Sequence, residues 1–130
     1  SDLADRFTTW DSINNADVTV STTLGTTFEK LVRDWFPNAK IVVVEAPARG
    51  FQEVLSGRAD VFITSNIEGS TLLTKFPNLR QIGVEAPRAP TLIAMLLPQT
   101  DQVWINYVNS WVELKKTQGF FETTAAKWGL

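Results

Sequence analysis

Hydrophobic and polar positions in the first part of the chain follow two different periods. Val18 and Val20, which precede hydroxyl side chains at 21–23, are typical of a strand with a polar exit. From the turn at 24–27 to Pro37, apolar side chains recur at i, i+3, i+4 and i+7, which predicts an amphipathic helix. The four apolar positions are Phe28, Leu31, Val32 and Trp35.

The same alternation continues beyond Asn38. The β-branched run at 41–44 lacks a period of two, which favours a strand covered on both faces, as in a parallel sheet. Shorter apolar groups predict a helix that stops at Gly57, a strand, a helix that ends before Pro77, and a further strand. Their positions are 51–55, 61–63, 72–76 and 79–84. This order predicts an α/β domain with a doubly wound, mainly parallel sheet.

Two prolines within 86–90 interrupt this pattern. The apolar segment 91–97 predicts another strand, and Asp101 is placed to cap a long helix that follows. Apolar side chains at helical spacing mark the expected buried face of that helix, and Gly119 separates it from a last aromatic helical segment. The expected buried positions are Trp104, Tyr107, Val108, Trp111 and Leu114, and the last segment carries Phe120, Phe121, Ala125 and Trp128.

Composition narrows the functions open to this chain. Its 130 residues are one domain's worth of sequence. With 12 Lys and Arg against 14 Asp and Glu, the chain has no excess of positive charge, which disfavours nucleic-acid binding through a basic surface. The absence of Cys and His excludes disulfides, thiolate metal sites and a Ser-His-Asp triad, so we expect no metal. No apolar run reaches the ~18 residues of a membrane span. The polar N-terminus at 1–5 lacks a signal pattern, which indicates a processed or excised chain.

The turn formed by Gly25, Thr26 and Thr27 joins the first strand to the first long helix. Ligands of α/β sheets bind at the carboxyl ends of strands, and free N–H groups at a helix N-terminus attract anions, so this turn is a candidate carboxylate site. The alternative is structural, because Thr26 as N-cap and Glu29 three residues on match a capping box. One glycine without a following lysine matches neither a P-loop nor a dinucleotide fingerprint, so no cofactor is expected.

Further candidates follow the second and third strands. The loop from Thr64 to Glu68 offers a polar ligand two hydroxyls, from Thr64 and Ser65, the Asn66 amide and a carboxylate. It equally suits a turn and the N-cap of the next helix. Glu68 is a candidate general acid or base, although most Glu residues in a first helical turn only stabilise the helix dipole. Arg49 could hold a carboxylate through two hydrogen bonds or remain solvated.

Three segments carry a resemblance to a known family. They are the strand and GTT turn at 18–27, FQEVLSGRADVFIT at 51–64 and GFFETTAAKWG at 119–129. Together with DRF, AKIVV and LLP elsewhere, they resemble the second lobe and C-terminal tail of bacterial extracytoplasmic solute-binding proteins of the amino-acid-binding family 3. The likeness is strongest to the cyclohexadienyl dehydratase-like branch and runs from about Asp5 to Gly129.

The resemblance implies one lobe of a two-lobed periplasmic protein. Residues 1–90 correspond to the second α/β lobe, and residues 91–130 to a crossover strand and C-terminal helices that normally pack on the first lobe. The first lobe is absent, so we expect the apolar face of the C-terminal helices to promote homo-oligomers. The missing lobe, a membrane permease and a small carboxylate-bearing solute are the other expected partners.

The resemblance also assigns residues to roles. The family's carboxylate-binding turn falls at Gly25 to Thr27, and its Asp for a ligand ammonium falls at Ser65, which carries no charge. A keto acid or dicarboxylate is therefore favoured over an ordinary amino acid. The acid of the dehydratase-like branch falls at Glu68, where it would protonate a leaving hydroxyl.

Three functional hypotheses follow. The preferred one is a solute-binding module that contributes half of a cleft for a small carboxylate-bearing ligand, either amino-acid-like or a keto or dicarboxylic acid. The second is a fragment of a dehydratase, a carbon–oxygen lyase acting on prephenate- or arogenate-like substrates. The third is one lobe of a sensor ectodomain.

Overall fold

A computed structural model describes residues 4–82, 88–91 and 94–128. Strands alternate with helices up to Lys75, and the elements after Asp101 are helical. The chain divides into two compact units, Ser1–Pro87 and Arg88–Leu130. In order, the elements are a 3₁₀ turn (Ala4–Arg6), α1 (Trp10–Ile13), β1 (Thr19–Thr23), α2 (Thr27–Trp35), β2 (Lys40–Val44), α3 (Gly50–Leu55), β3 (Val61–Phe62), α4 (Asn66–Lys75), α5 (Gln102–Thr117) and α6 (Phe120–Lys127).

The first unit is built around a parallel sheet of three described strands in the order β2-β1-β3. The central strand is β1, in which Val20 pairs with Ile41 of β2 and with Val61 of β3. Parallel neighbours require crossover connections, and these contain α2 and α3. The predicted α/β fold class, with a doubly wound and mainly parallel sheet, is confirmed.

Helices cover both faces of the sheet. Alternate residues of β1 point to opposite faces, so they contact different helices. On one face Val20 joins Val32 and Phe36 in the buried core. On the other face the buried Ser21 hydroxyl donates to the carbonyl of Gly50, the first residue of α3, at 2.9 Å. The main cluster of buried apolar side chains among the described residues consists of Phe7, Ile13, Val18, Val20, Val32, Phe36, Val61 and Ile63.

The second strand, β2, is less buried than its sequence predicts. A strand covered on both faces was expected at 41–44, but these residues are only half-buried. The strand order explains the difference, since β2 lies at one edge of the sheet formed by the described strands. A run of β-branched residues fits the extended backbone of an edge strand as well as that of an interior one.

The two other predicted strands are not found among the described residues. Positions 79–82 form no strand, and the remainder of that prediction, 83–84, lies outside the described residues. Positions 91 and 94–97 also form no strand, and 92–93 lie outside the described residues. Leu96 is fully exposed, so the apolar character of this segment does not reflect burial there. Flanking prolines at 90 and 98 also remove backbone donors that a strand would use.

The second unit contains α5 and α6. Asp101 caps α5 as predicted, because its Oδ1 accepts the N–H of Trp104 at 2.9 Å. Gly119 precedes α6 with φ of 65°, a left-handed conformation that glycine adopts without strain. Trp111 packs edge-on against Phe120, with ring centroids 6.1 Å apart. The two helices therefore share one aromatic contact surface.

The predicted buried face of α5 is wrong at three of its five positions. Val108 is buried and Trp111 is half-buried, but the other three are exposed. A pair of helices buries only the side chains at their shared contact. The apolar side chains on the other sides of α5 and α6 therefore stay exposed. The exposed positions are Trp104, Tyr107 and Leu114, at 46%, 61% and 54% exposure.

Candidate functional site

A depression of about 300 Å³ opens where β1 and β3 end. Because these strands are parallel, their carboxyl ends meet at one edge of the sheet, where α/β proteins bind ligands. The turn after β1, the first residues of α2 and the loop after β3 form its walls, which include Gly25, Thr26, Thr27, Phe28, Thr64 and Glu68. We call this cavity the strand-end depression.

The turn from Gly25 to Thr27 begins α2 without the capping box that the sequence offers as an alternative. Thr26 occupies the N-cap position, yet its hydroxyl donates to the Thr23 carbonyl at 2.7 Å and accepts nothing from the helix. The Glu29 carboxylate accepts the N–H of Gly25 at 3.1 Å instead of that of Thr26. The chain turns at Gly25, with φ of 72°, and this places a different N–H near Glu29. The capping-box interpretation is therefore wrong.

Three donors at this turn have no acceptor within the described part of the chain. They are the N–H groups of Thr27 and Phe28 and the hydroxyl of Thr27, which is exposed. The first N–H groups of a helix lack partners within the helix and lie at the positive end of its dipole. The turn therefore presents the strand-end depression with donors suited to an anion.

Glu68 lines the same depression from the first turn of α4. Ser65 caps this helix, because its hydroxyl accepts the N–H of Glu68 at 3.2 Å, so the predicted N-cap role of the loop is present. The Thr64 hydroxyl donates to Glu68 Oε2, and Glu68 Oε1 lies 3.4 Å from Nη1 of Arg49. Both oxygens of the Glu68 carboxylate thus contact donors from the protein.

A close approach at Gly50 sets the position of Arg49. The Gly50 carbonyl accepts from the Ser21 hydroxyl, and a Cβ at Gly50 would lie 2.5 Å from the ring of Phe62. Glycine therefore allows α3 to begin against β1 and β3. This placement brings the Arg49 guanidinium to Glu68, although the two residues are 19 positions apart in the sequence.

A second depression, of about 550 Å³, lies beside α3 and α4, and we call it the helix-side depression. Its apolar wall includes Phe51 and Phe76, whose ring centroids are 5.2 Å apart. Its cations are Arg49 and Lys75. Glu68 borders both depressions, so its carboxylate faces the polar turn in one and the two cations in the other.

The predicted site residues are distributed over these two depressions. The predicted turn and Glu68 line the strand-end depression, and Arg49, Ser65 and Glu68 line the helix-side depression. Asn66 is exposed at the first position of α4 and lines neither of them. Thr64, whose hydroxyl donates to Glu68, belongs to the loop selected from the sequence but was not assigned a role of its own. The strand-end position pointed to this loop, but its contact with Glu68 was not predicted.

Two features are absent from the described residues. No group of three or more His, Cys, Asp or Glu side chains within 4–82, 88–91 and 94–128 is placed to hold a metal ion. No helix in the described part of the chain is long and apolar enough to cross a membrane.

Known proteins resemble the chain over nearly its whole length. The cyclohexadienyl dehydratase of Pseudomonas aeruginosa is 28% identical over 123 residues, which are 95% of this chain and 46% of that protein. The crystal structure of an ancestral cyclohexadienyl dehydratase is 39% identical with a TM-score of 0.65, over 98% of this chain and 53% of that one. An ancestral cationic amino acid solute-binding protein is 28% identical with a TM-score of 0.68, over 98% of this chain and 54% of that one. No protein-family model matches the chain.

The chain is a relative of these dehydratases and solute-binding proteins. The resemblance inferred from its sequence is confirmed. A second structure of the same ancestral binding protein describes it as a precursor of cyclohexadienyl dehydratase, which links the two groups. It is 28% identical with a TM-score of 0.66, over 98% of this chain and 52% of that one. The chain spans about half the length of the relatives that it matches.

Proposed function

We propose that the chain is a solute-binding module that contributes half of a cleft for a small carboxylate-bearing ligand. The observation that carries this proposal is the N-terminus of α2, where Thr27 and Phe28 offer three donors without acceptors among the described residues. A carboxylate at this position satisfies those donors and meets the positive end of the helix dipole. A relative described as an ancestral amino-acid-binding protein supports the same class of function.

The remaining polar groups of the site favour a ligand without an ammonium group. Ser65 stands where the resemblance places an ammonium-binding Asp, but it is uncharged and its hydroxyl caps α4. Glu68 carries a charge, and that charge is paired with Arg49. A keto or hydroxyl oxygen, or a second carboxylate, therefore suits this site better than an ammonium group.

The other half of the cleft belongs to a part of the protein that this chain does not cover. Its relatives are about twice as long as the aligned region. We assign the chain to the second lobe of an extracytoplasmic binding protein whose first lobe closes over the ligand. A membrane permease is then the downstream partner.

A dehydratase is the second candidate function. It is favoured by Glu68, which lies in the same depression as the carboxylate-binding turn, and by the two relatives that are cyclohexadienyl dehydratases. Glu68 would donate a proton to a leaving hydroxyl while α2 holds a carboxylate. Both Glu68 oxygens already contact donors, from Thr64 and Arg49, so proton donation requires one contact to open. A binding role requires no such change and is preferred.

An assay with prephenate on the complete two-lobed protein separates the two functions. A dehydratase would convert prephenate to phenylpyruvate with release of water and carbon dioxide, and Glu68→Gln would abolish that product. A binding module leaves prephenate unchanged, whether or not Glu68 is replaced.

Thr27→Ala tests the carboxylate site directly. The variant removes one donor from the α2 N-terminus, and we expect affinity for pyruvate to fall by about 1.5–3 kcal/mol, the contribution of a hydrogen bond to a charged group. The melting temperature without ligand should stay the same, because the Thr27 hydroxyl has no partner among the described residues. Affinity is measured by NMR titration, and stability by thermal unfolding.

Thr26→Ala is the matched control for this experiment. The Thr26 hydroxyl bonds the Thr23 carbonyl, so its loss should lower stability by about 1 kcal/mol and change affinity much less. If Thr27→Ala instead lowers stability and leaves affinity unchanged, the turn has a structural role and the proposed site is wrong.

A further inference from the structure

Glu68 is the only charged side chain among the described residues that line the strand-end depression. Together with the Glu29 carboxylate, which accepts the N–H of Gly25 at the edge of this depression, the Glu68 carboxylate influences how the cavity responds to a positive group on a ligand. Arg49, whose Nη1 lies 3.4 Å from Glu68 Oε1, lines the helix-side depression and not the strand-end depression. A cation outside the binding cavity thus offsets the charge of the anion inside it.

We propose that Arg49 is a specificity-determining residue of the binding site. By pairing with Glu68, it weakens the attraction of the strand-end depression for an α-ammonium group. The site therefore favours carboxylates whose α-substituent is an uncharged keto or hydroxyl oxygen. This inference rests on the proposed carboxylate site at the N-terminus of α2. Arg49 acts through Glu68 and does not touch the ligand.

Several contacts hold this ion pair in place. The Thr64 hydroxyl donates to the second oxygen of Glu68, and the N–H of Arg49 donates to Gln52 Oε1 at 2.9 Å. The next carbonyl along the chain, that of Gly50, accepts from the buried Ser21 hydroxyl. The geometry is therefore built into the start of α3 and does not depend on the long Arg49 side chain alone.

Solvent limits the size of the effect. The Arg49 side chain is 61% exposed and that of Glu68 is 33% exposed, so water and salt screen the pair. Ion pairs of this exposure change an equilibrium by about two- to fivefold. The expected result is a shift of preference between ligands and not an absolute switch.

Ligand pairs that differ only in the α-substituent isolate this preference. L-alanine with pyruvate, and L-phenylalanine with phenylpyruvate, are titrated by NMR against the full chain, and the ratio of the two dissociation constants is taken for each pair. Arg49→Met should shift this ratio toward the amino acid by about two- to fivefold. Both ligands of a pair bind the same variant, so any loss of folded protein cancels in the ratio.

Three further variants identify the cause of such a shift. Arg49→Lys keeps the charge and should keep the original ratio. Lys75→Met is the matched control and should leave the ratio unchanged. Lys75 lines the same helix-side depression, but it lies about 10 Å from Glu68 along α4 and is not among the described ion-pair partners of Glu68. In a Glu68→Gln background, Arg49→Met should leave the ratio unchanged, because the charge that it offsets is already gone.

Each outcome has a definite meaning. If both ligands of a pair bind and Arg49→Met leaves the ratio of their dissociation constants unchanged, the proposed role of Arg49 is wrong. The proposed function then stands. A shift of equal size in Lys75→Met, or one that persists in the Glu68→Gln background, also overturns the role of Arg49, because the cause would then be overall charge. If no carboxylate probe binds the unaltered chain, the proposed function fails, and this inference fails with it.

Discussion

Gly50 shows how a missing side chain can set the spacing of a site. A Cβ at this position would meet two ring carbons of Phe62 at 2.5 Å, so Gly50→Ala should force the ring or α3 to move. We expect a loss of about 1–3 kcal/mol in the free energy of unfolding, measured with denaturant. Gly69→Ala is the control, because an added Cβ there meets nothing within 4 Å and should stabilise α4 by about 0.5–1 kcal/mol. Equal effects of the two changes would contradict this account.

A second residue-level prediction concerns pH. Arg58 donates two hydrogen bonds of 2.7 Å to the Glu53 carboxylate, and these hold the pKa of Glu53 below its ordinary value of 4.5. A carboxyl with a lowered pKa stabilises the fold above its unfolded pKa and loses this contribution as the pH falls through its folded pKa. Arg58→Ala should therefore be less stable than the unaltered chain at neutral pH, and the difference should shrink below about pH 4. Urea unfolding across this range provides the measurement, and a difference that grows in acid would contradict the prediction.

The sequence predicted which residues lie at the strand ends better than it predicted their hydrogen bonds. Strand ends and the GTT pattern were sufficient to place Gly25 to Thr27 and Glu68 near a common cavity. The local pattern of Thr26 and Glu29 gave the wrong hydrogen bonds, because the left-handed conformation of Gly25 determines which N–H reaches the carboxylate. The pairing of Arg49 with Glu68 could not be predicted, since it depends on where two separate helices begin.

At the scale of elements, periodicity worked where a helix spans several turns. The apolar spacing of α2 and the Asp101 cap of α5 were both predicted and are present. The four-residue helix α1 was missed, because one turn is too short to show a period. An apolar run predicted a strand at 91–97, yet its described residues form none, since hydrophobicity alone supplies no neighbouring strand to pair with.

The junction between α5 and α6 gives an element-level prediction. Gly119 has φ of 65°, and an added Cβ would meet nothing within 4 Å, so the cost of a substitution comes from the backbone alone. Gly119→Ala should destabilise this junction by about 1–2 kcal/mol. Gly119→Asn should cost less, because Asn tolerates the left-handed region better. Amide hydrogen exchange in α6 measures both variants, and an Asn variant as damaging as the Ala variant would contradict this explanation.

At the scale of the whole molecule, the second unit exposes many large apolar side chains. Exposed patches of this kind drive association, so we expect a dimer or higher oligomer through these helices. Trp104→Ser should weaken the association, whereas Leu24→Ser, at an exposed position of the first unit, should not. Light scattering over a wide range of concentration measures both, and a monomer throughout would contradict the prediction. Among the described residues of the second unit, the exposed large apolar side chains are Met95, Leu96, Val103, Trp104, Tyr107, Leu114, Phe120, Phe121 and Trp128.

The length of the chain relative to its relatives predicts weak binding. It spans about half of each of them, so a ligand on this half alone keeps much of its surface in water. We expect dissociation constants above the micromolar range for small carboxylates, measured by calorimetry or NMR. Sub-micromolar affinity for any of them would mean that this chain forms a whole site and not half of one.

The hydroxyl of Ser21 has a single hydrogen but lies within reach of two carbonyls, 2.9 Å from that of Gly50 and 3.1 Å from that of Val61. It can donate fully to only one of them at a time. The Gly50 carbonyl lies directly after Arg49, at the start of α3. The Val61 carbonyl lies at the start of β3, the strand that leads to Glu68. The two sides of the ion pair therefore share one buried proton, and a movement of either segment changes the hydrogen bond available to the other.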